Sequence, residues 1–232
     1  MTFPTDFSSR EQAYSLLIFD WDGTLMDSSA RIVKCMQYAA RSVGVAEADS
    51  GAVRSMIGLS LEVTVRRLYP DLDYARCEQM VDEFRRRSLS DEVKISPLFD
   101  GVEAILRQLV EQGYDLAVAT GKSRRGLDKD LLEAGVGDLF PITRTADETF
   151  SKPHPLMLQE ILTDYDLDAN DALMIGDTEY DLQLAANAGM DALAVSYGVH
   201  DAERLLQHQP CGLLDTFEQL PDWLLMNKNQ VK

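Results

Sequence analysis

Four short stretches hold the side chains best suited to chemistry: Asp20-Trp21-Asp22-Gly23-Thr24-Leu25, Thr120-Gly121-Lys122, Ser151-Lys152-Pro153-His154-Pro155 and Gly176-Asp177-Thr178-Glu179-Tyr180-Asp181. Together they offer clustered carboxylates, a hydroxyl and an ammonium. A carboxylate is already ionised at neutral pH, so Asp20 could attack phosphorus without an activating base. The product would be an aspartyl phosphate, a mixed anhydride that water hydrolyses readily. The obstacle is repulsion between the carboxylate and a phosphate dianion, roughly 4 kcal/mol for each charge pair at an effective dielectric near 20. A divalent cation must offset it, and hard oxygen donors with no histidine or thiolate pair nearby favour Mg2+.

Such residues act together only if the chain brings them to one edge. Leu16-Leu17-Ile18-Phe19 is continuously apolar and stops at Asp20, the pattern of a strand buried on both faces. Similar runs end at Thr120 (Leu116 to Ala119), at Gly176-Asp177 (Ala172 to Ile175) and at Ser196 (Ala192 to Val195). Amphipathic, helix-length stretches at 101–112, 123–134, 155–165 and 178–188 alternate with them. The expectation is an α/β fold with a Rossmann-like parallel sheet and helices on both faces, binding ligands beyond the carboxyl ends of its strands. Asp100 with Glu103 has the spacing of a capping box, and Gly113 and Gly135 stand where helices should stop. Between the first strand and Gly101 only helical patterns occur, near 28–43, 49–57, 60–69 and 73–90. They predict an all-helical cap domain at 28–94 inserted into a core of 1–27 and 95–232, with linkers near Asp27 and at 94–98.

In order and spacing, the four stretches resemble the motifs of the haloacid dehalogenase-like superfamily: a DxDGT loop, a threonine after the second strand, a lysine in a KPxP loop, and GDxxxD. The helical insertion is similar to that family's C1-type cap. The resemblance implies a phosphatase in which Asp22 is general acid on the leaving oxygen and then general base on the attacking water. Expected Mg2+ ligands are Asp20, the Asp22 carbonyl and Asp177, with Asp181 binding directly or through a water. Thr120, the Gly121 N–H and Lys152 would hold the phosphoryl oxygens. Gly23 allows the sharp turn after the strand, and Thr24 is expected to fix it. Many relatives carry Asn where this chain has Gly121, which leaves only the backbone to orient substrate. The second aspartate argues against the dehalogenase branch, and Thr24 favours phosphatases over phosphoglucomutase-like members.

Other residues weigh less. The segment from Arg54 to Ser60 resembles the cap loop of phosphoglycolate-phosphatase-like members, so Arg54 and Ser60 are candidate substrate contacts; an ordinary turn with Ser60 as N-cap explains it equally well. Lys122, Arg124 and Arg125 could reach substrate, although a basic cluster at a helix start is usually solvated. His154 between prolines reads as a loop filler. Thr120-Gly121-Lys122 lacks the first glycine of a P-loop, Gly135 and Gly137 make no dinucleotide fingerprint, and no GxSxG elbow is present.

Composition narrows the partners. With 39 acidic and 22 basic residues the formal charge is −17, a field that repels nucleic-acid phosphates and anionic membranes. Cys35, Cys77 and Cys211 match no zinc or redox spacing and read as reduced packing residues. The N-terminus lacks a basic region followed by an apolar run, so the expectation is a cytoplasmic monomer or homodimer. The leading function is Mg2+-dependent hydrolysis of a small phosphorylated metabolite, phosphoglycolate-like or a sugar phosphate. The alternatives are a sugar phosphomutase, which would return a positional isomer rather than free phosphate, and a silent phospho-ligand-binding scaffold.

Overall fold

A computed structural model describes residues 13–90 and 92–227, so the polar tail before residue 13 lies outside the described residues. Six parallel strands form one sheet: β1 (Leu16–Phe19), β2 (Asp115–Thr120), β3 (Ile142–Thr145), β4 (Ala172–Gly176), β5 (Asp191–Val195) and β6 (Gly212–Leu214). Their order is β3-β2-β1-β4-β5-β6. The chain therefore builds outward on one side of β1 and then restarts on the other, which opens a crevice between β1 and β4. Phe19 is in register with Val118 and Ile175, so Asp20, Thr120 and Asp177 leave three adjacent strands at nearly one height.

Each residue of β1 is fully buried, as a strand covered on both faces requires. On one face Phe19, Val118 and Ile175 pack with Leu106 and Leu109 of α5 (Val102–Glu111) and with Leu127 and Leu131 of α6 (Arg124–Ala134). On the other, Ile18, Ala119 and Met174 meet α7 (Leu156–Tyr165) and α8 (Glu179–Ala188). Two short helices, α9 (Ala202–Leu206) and α10 (Leu220–Met226), complete the layers. Trp21, wholly buried, has no acceptor for its indole N–H among the described residues.

The insertion consists of α1 (Ser29–Ser42), α2 (Ser50–Arg54), α3 (Leu61–Leu68) and α4 (Tyr74–Ser88). It has an apolar cluster of its own, in which Val33, Met36, Val53, Val65 and Met80 are all nearly inaccessible. The two chain crossings into and out of it run side by side. Met26 bridges antiparallel to Leu98, and the Asp27 N–H donates to the Pro97 carbonyl at 2.9 Å.

Several local expectations need correction. Asp100 and Glu103 form no capping box: Gly101, with φ +75°, occupies the N-cap of α5 without a side-chain cap, and Glu103 pairs with Arg107 at 3.1 Å. β3 and β6 gave no apolar signal, because an outer or short strand needs less apolar surface; β3 reads Ile-Thr-Arg-Thr. Cys35 and Cys77 are buried free thiols, but Cys211 is exposed rather than packed.

Candidate active site

Asp20 is wholly buried at the end of β1. Lys152 Nζ stands 2.8 Å from its Oδ1 and 2.6 Å from Asp181 Oδ1. The contact with Asp20 is an ion pair without hydrogen-bond alignment, and neither Asp20 oxygen accepts a hydrogen bond among the described residues. Asp20, Asp177 and Asp181 each bring a carboxylate oxygen within 4.8 Å of the others, all buried. Unpartnered oxygens and close like charges in a dry site fit a hard divalent cation.

Asp177 is tightly positioned. Its Oδ1 accepts from the Thr24 hydroxyl at 2.8 Å and its Oδ2 from the Val199 N–H at 2.8 Å. Thr24 thus ties the first motif to the fourth instead of fixing only its own turn. Two glycines make room: a Cβ on Gly23, whose φ is +93°, would lie 2.2 Å from Asp177 Oδ2, and one on Gly198 would lie 2.3 Å from Asp177 Cβ. Asp181 is committed elsewhere. Its Oδ2 accepts from the Thr178 N–H (3.0 Å) and hydroxyl (2.7 Å), capping α8, while Oδ1 holds Lys152. Asp181 therefore belongs to the cluster with both oxygens already engaged, and a water between it and an ion would extend its reach.

Electrostatics follow from this crowding. Burial, then repulsion by Asp181 and Asp22, push the Asp20 carboxyl up to about 7 even though Lys152 pulls it down. Burial and the charges of Asp20 and Asp181 raise Asp177 well above the usual carboxylate range. Burial works against the Lys152 ammonium, yet Asp181 and Asp20 hold its pKa above that of an ordinary lysine.

Asp22 sits in a second network that the sequence did not disclose. Ser28 Oγ donates to its Oδ1 at 2.5 Å, and Lys122 Nζ lies 3.0 Å from both oxygens. Lys122 also reaches Asp130 Oδ2 at 2.9 Å, and Arg31 grips Asp130 through two bonds of 3.1 and 2.8 Å. Lys122 is therefore not a solvated helix-start lysine; its side chain is 12% exposed. Asp130 follows Leu127 by three residues on the buried stripe of α6, and a charge there was the available signal. Arg31 lies on the first inserted helix, so this chain of charges joins the insertion to the core.

The loop after α2 is docked on the sheet edge. The Ser55 carbonyl accepts from Tyr180 Oη at 3.0 Å and faces His200 Nε2 at 3.3 Å. His200 Nδ1 accepts from the Glu179 N–H, which leaves the ring proton on Nε2 to donate. The Ser60 N–H donates to Ser151 Oγ at 2.9 Å, while the Ser60 side chain accepts from the Val63 N–H and caps α3. Arg54 is exposed. Neither Arg54 nor Ser60 lines the cavity above Asp20: the Arg54 side chain is exposed and the Ser60 hydroxyl caps α3. The docked loop also accounts for Gly121, since a Cβ there would lie 2.5 Å from the Gly58 carbonyl oxygen. His154 is exposed, Arg124 pairs with Glu148 and Asp128, and Arg125 points outward.

Asp20, Asp22, Thr120 and Gly121 line one cavity, with Asp177, Lys152 and Asp181 beneath it. Residues 17–195 match the haloacid dehalogenase-like hydrolase family. The chain belongs to that family. It is 34% identical over 209 residues to the Dickeya dadantii protein named "Probable phosphatase IndB", covering 88% of this chain and 91% of that one. It is 27% identical to a Vibrio vulnificus phosphoglycolate phosphatase, over 94% of this chain and 99% of the relative. The crystal structure of a predicted phosphoglycolate phosphatase from Haemophilus somnus superposes with a TM-score of 0.84 at 24% identity, over 91% of this chain and 98% of that one, which shows a shared fold. As a haloacid dehalogenase-like hydrolase of the phosphatase kind, the chain is an enzyme. No helix among the described residues is long and apolar enough to cross a membrane.

Proposed function

We propose that this hydrolase removes the phosphoryl group from a small phosphorylated metabolite with Mg2+, through a phosphoryl-aspartate on Asp20. The observation that carries the reading is the buried Asp20 carboxylate, which accepts no hydrogen bond among the described residues and stands beside Asp177 and Lys152. Asp20, the Asp22 carbonyl and Asp177 would hold the ion. When bound, it neutralises charge between carboxylate and phosphate and so lets them approach.

The chain's own groups do the rest. An Asp20 oxygen forms a bond to phosphorus as the ester P–O bond breaks, and Asp22 donates its proton to the departing alcohol oxygen. Asp22, now ionised, takes a proton from water as that water attacks phosphorus; the bond to Asp20 breaks and phosphate leaves. Thr120, the Gly121 N–H and Lys152 steady the phosphoryl oxygens. Ser28 and Lys122 aim Asp22 at the cavity. The segment 28–94 acts as a cap, excluding water from the phosphoryl group, with the paired crossings at Asp27 and Pro97 as its hinge.

The test is phosphate release from a panel of small phosphate esters. Wild-type enzyme with Mg2+ should release free phosphate rather than a positional isomer, EDTA should stop it, and added Mg2+ should restore it. Asp20→Asn, which is isosteric, should fold normally by circular dichroism and release phosphate only at background. Sustained turnover by that variant would remove Asp20 as nucleophile.

A further inference from the structure

The cavity above Asp20 has a volume of about 110 Å³ and is partly open to solvent. Its floor is polar, but the insertion lines it mainly with apolar side chains, among them Ile32, Met36, Val53, Met56 and Phe84. Met36 and Val53 are almost wholly buried, so these walls are fixed parts of the insertion's own core rather than loose surface.

The charges around the cavity already have partners. Four carboxylates, Asp20, Asp22, Glu62 and Asp147, line it against two cations, Lys122 and Arg85. Lys122 is held by Asp22 and Asp130, and Arg85 Nη2 lies 2.5 Å from Glu62 Oε1. Asp147 accepts from the Thr145 hydroxyl at 2.7 Å and the Arg124 N–H at 2.9 Å. An acidic leaving group would enter a cavity with more acid than base, in which the buried cation, Lys122, is already held by two carboxylates. An apolar one displaces water from the partly exposed Ile32, Met56 and Phe84 without disturbing any ion pair. The unbranched, partly exposed Met56 adapts to its shape.

We propose that the site takes a phosphomonoester of an uncharged alcohol with an apolar body, aliphatic or aromatic, in preference to one bearing a carboxylate or a second phosphate. This rests on the phosphatase reading above, and the experiment separates the two. Values of kcat/KM are measured with Mg2+ on the full chain for benzyl, hexyl and glycerol 3-phosphates, phosphoglycolate and phosphocholine, all esters of primary alcohols. Benzyl or hexyl phosphate should exceed each of the others by about tenfold or more. Phe84→Arg, which places a cation in the wall, should shift the ratio of phosphoglycolate to benzyl phosphate by about tenfold toward the acid while the Mg2+ requirement persists. If that variant does not fold, the wild-type series decides alone. Should phosphoglycolate, glycerol 3-phosphate or phosphocholine be used as well as benzyl phosphate, the apolar leaving group is wrong and the phosphatase reading stands. Should no ester yield phosphate in an Asp20-dependent way, the phosphatase reading fails and this inference falls with it.

Discussion

At the scale of single residues, the site gains its reactivity from carboxylates that are costly to keep charged. Asp20 binds its proton up to about pH 7 in the folded chain without metal, because it is buried and faces Asp181 and Asp22. In the unfolded chain the same group titrates near the ordinary aspartate value. Between the two, the folded state holds the extra proton. The contribution of Asp20 to stability is therefore fully present below the unfolded pKa and is lost as pH rises toward about 7. Mg2+ needs the ionised carboxylates, so its binding grows over that same window. At about a hundred times its dissociation constant a ligand adds roughly 2.7 kcal/mol. Thermal melts with and without Mg2+ should show a small stabilisation near pH 5 and a larger one near pH 8; a pH-independent gain would mean that Asp20 does not bind the ion. Asp20 and Asp177 were legible in the sequence because each ends an apolar run, and Asp22 and Asp181 because they follow in the same two motifs. Ser28, Asp130 and Arg31 were not, because a serine or a charged residue on a helix does not reveal which neighbour it will meet across the fold.

At the scale of elements, the contact that matters is between the loop after α2 and the turn after β2. Gly121 looked like the loss of a substrate-orienting side chain. The geometry instead makes it a seat: the Gly58 and Leu59 carbonyl oxygens lie 2.5 and 2.6 Å from where its Cβ would be. Gly121→Asn should therefore lift this loop from the sheet edge. A misplacement of about 1 Å can cost around 100-fold in rate, so kcat/KM should fall by about that factor in steady-state assays, while the melting temperature changes little. Unchanged kinetics would show that the loop need not be seated for catalysis. The helices up to α8 and the central strands followed from periodicity and from apolar runs, whereas the short α9 and α10 were not anticipated. β3 did not, because its Thr143 and Arg144 are only partly buried and alternate with nothing that marks a strand. Nor did the cap of α5, where backbone conformation at Gly101 replaced the side chain anticipated at Asp100.

For the whole molecule, a charge of −17 surrounds a site that must admit an anion. Lys152, buried against Asp20 and Asp181, supplies local attraction but projects little field to solvent. Salt screens the global repulsion over about 30 Å at 0.01 M and about 8 Å at 0.15 M. Raising ionic strength across that range should increase kcat/KM for a dianionic ester, measured with Mg2+ held saturating. A decrease would place an attractive field at the cavity mouth that outweighs the net charge. The sequence by itself determined the sheet's central strands, the helical insertion and the four motifs, because buried strands and reactive carboxylates announce themselves in local composition. Only the tertiary structure decided that Arg31 and Asp130 brace Lys122, that Thr24 serves Asp177, that Arg54 faces solvent, and that the cavity is walled with apolar side chains. Those facts depend on which surfaces meet when the insertion folds over the sheet, and contacts between residues a hundred positions apart leave no local trace.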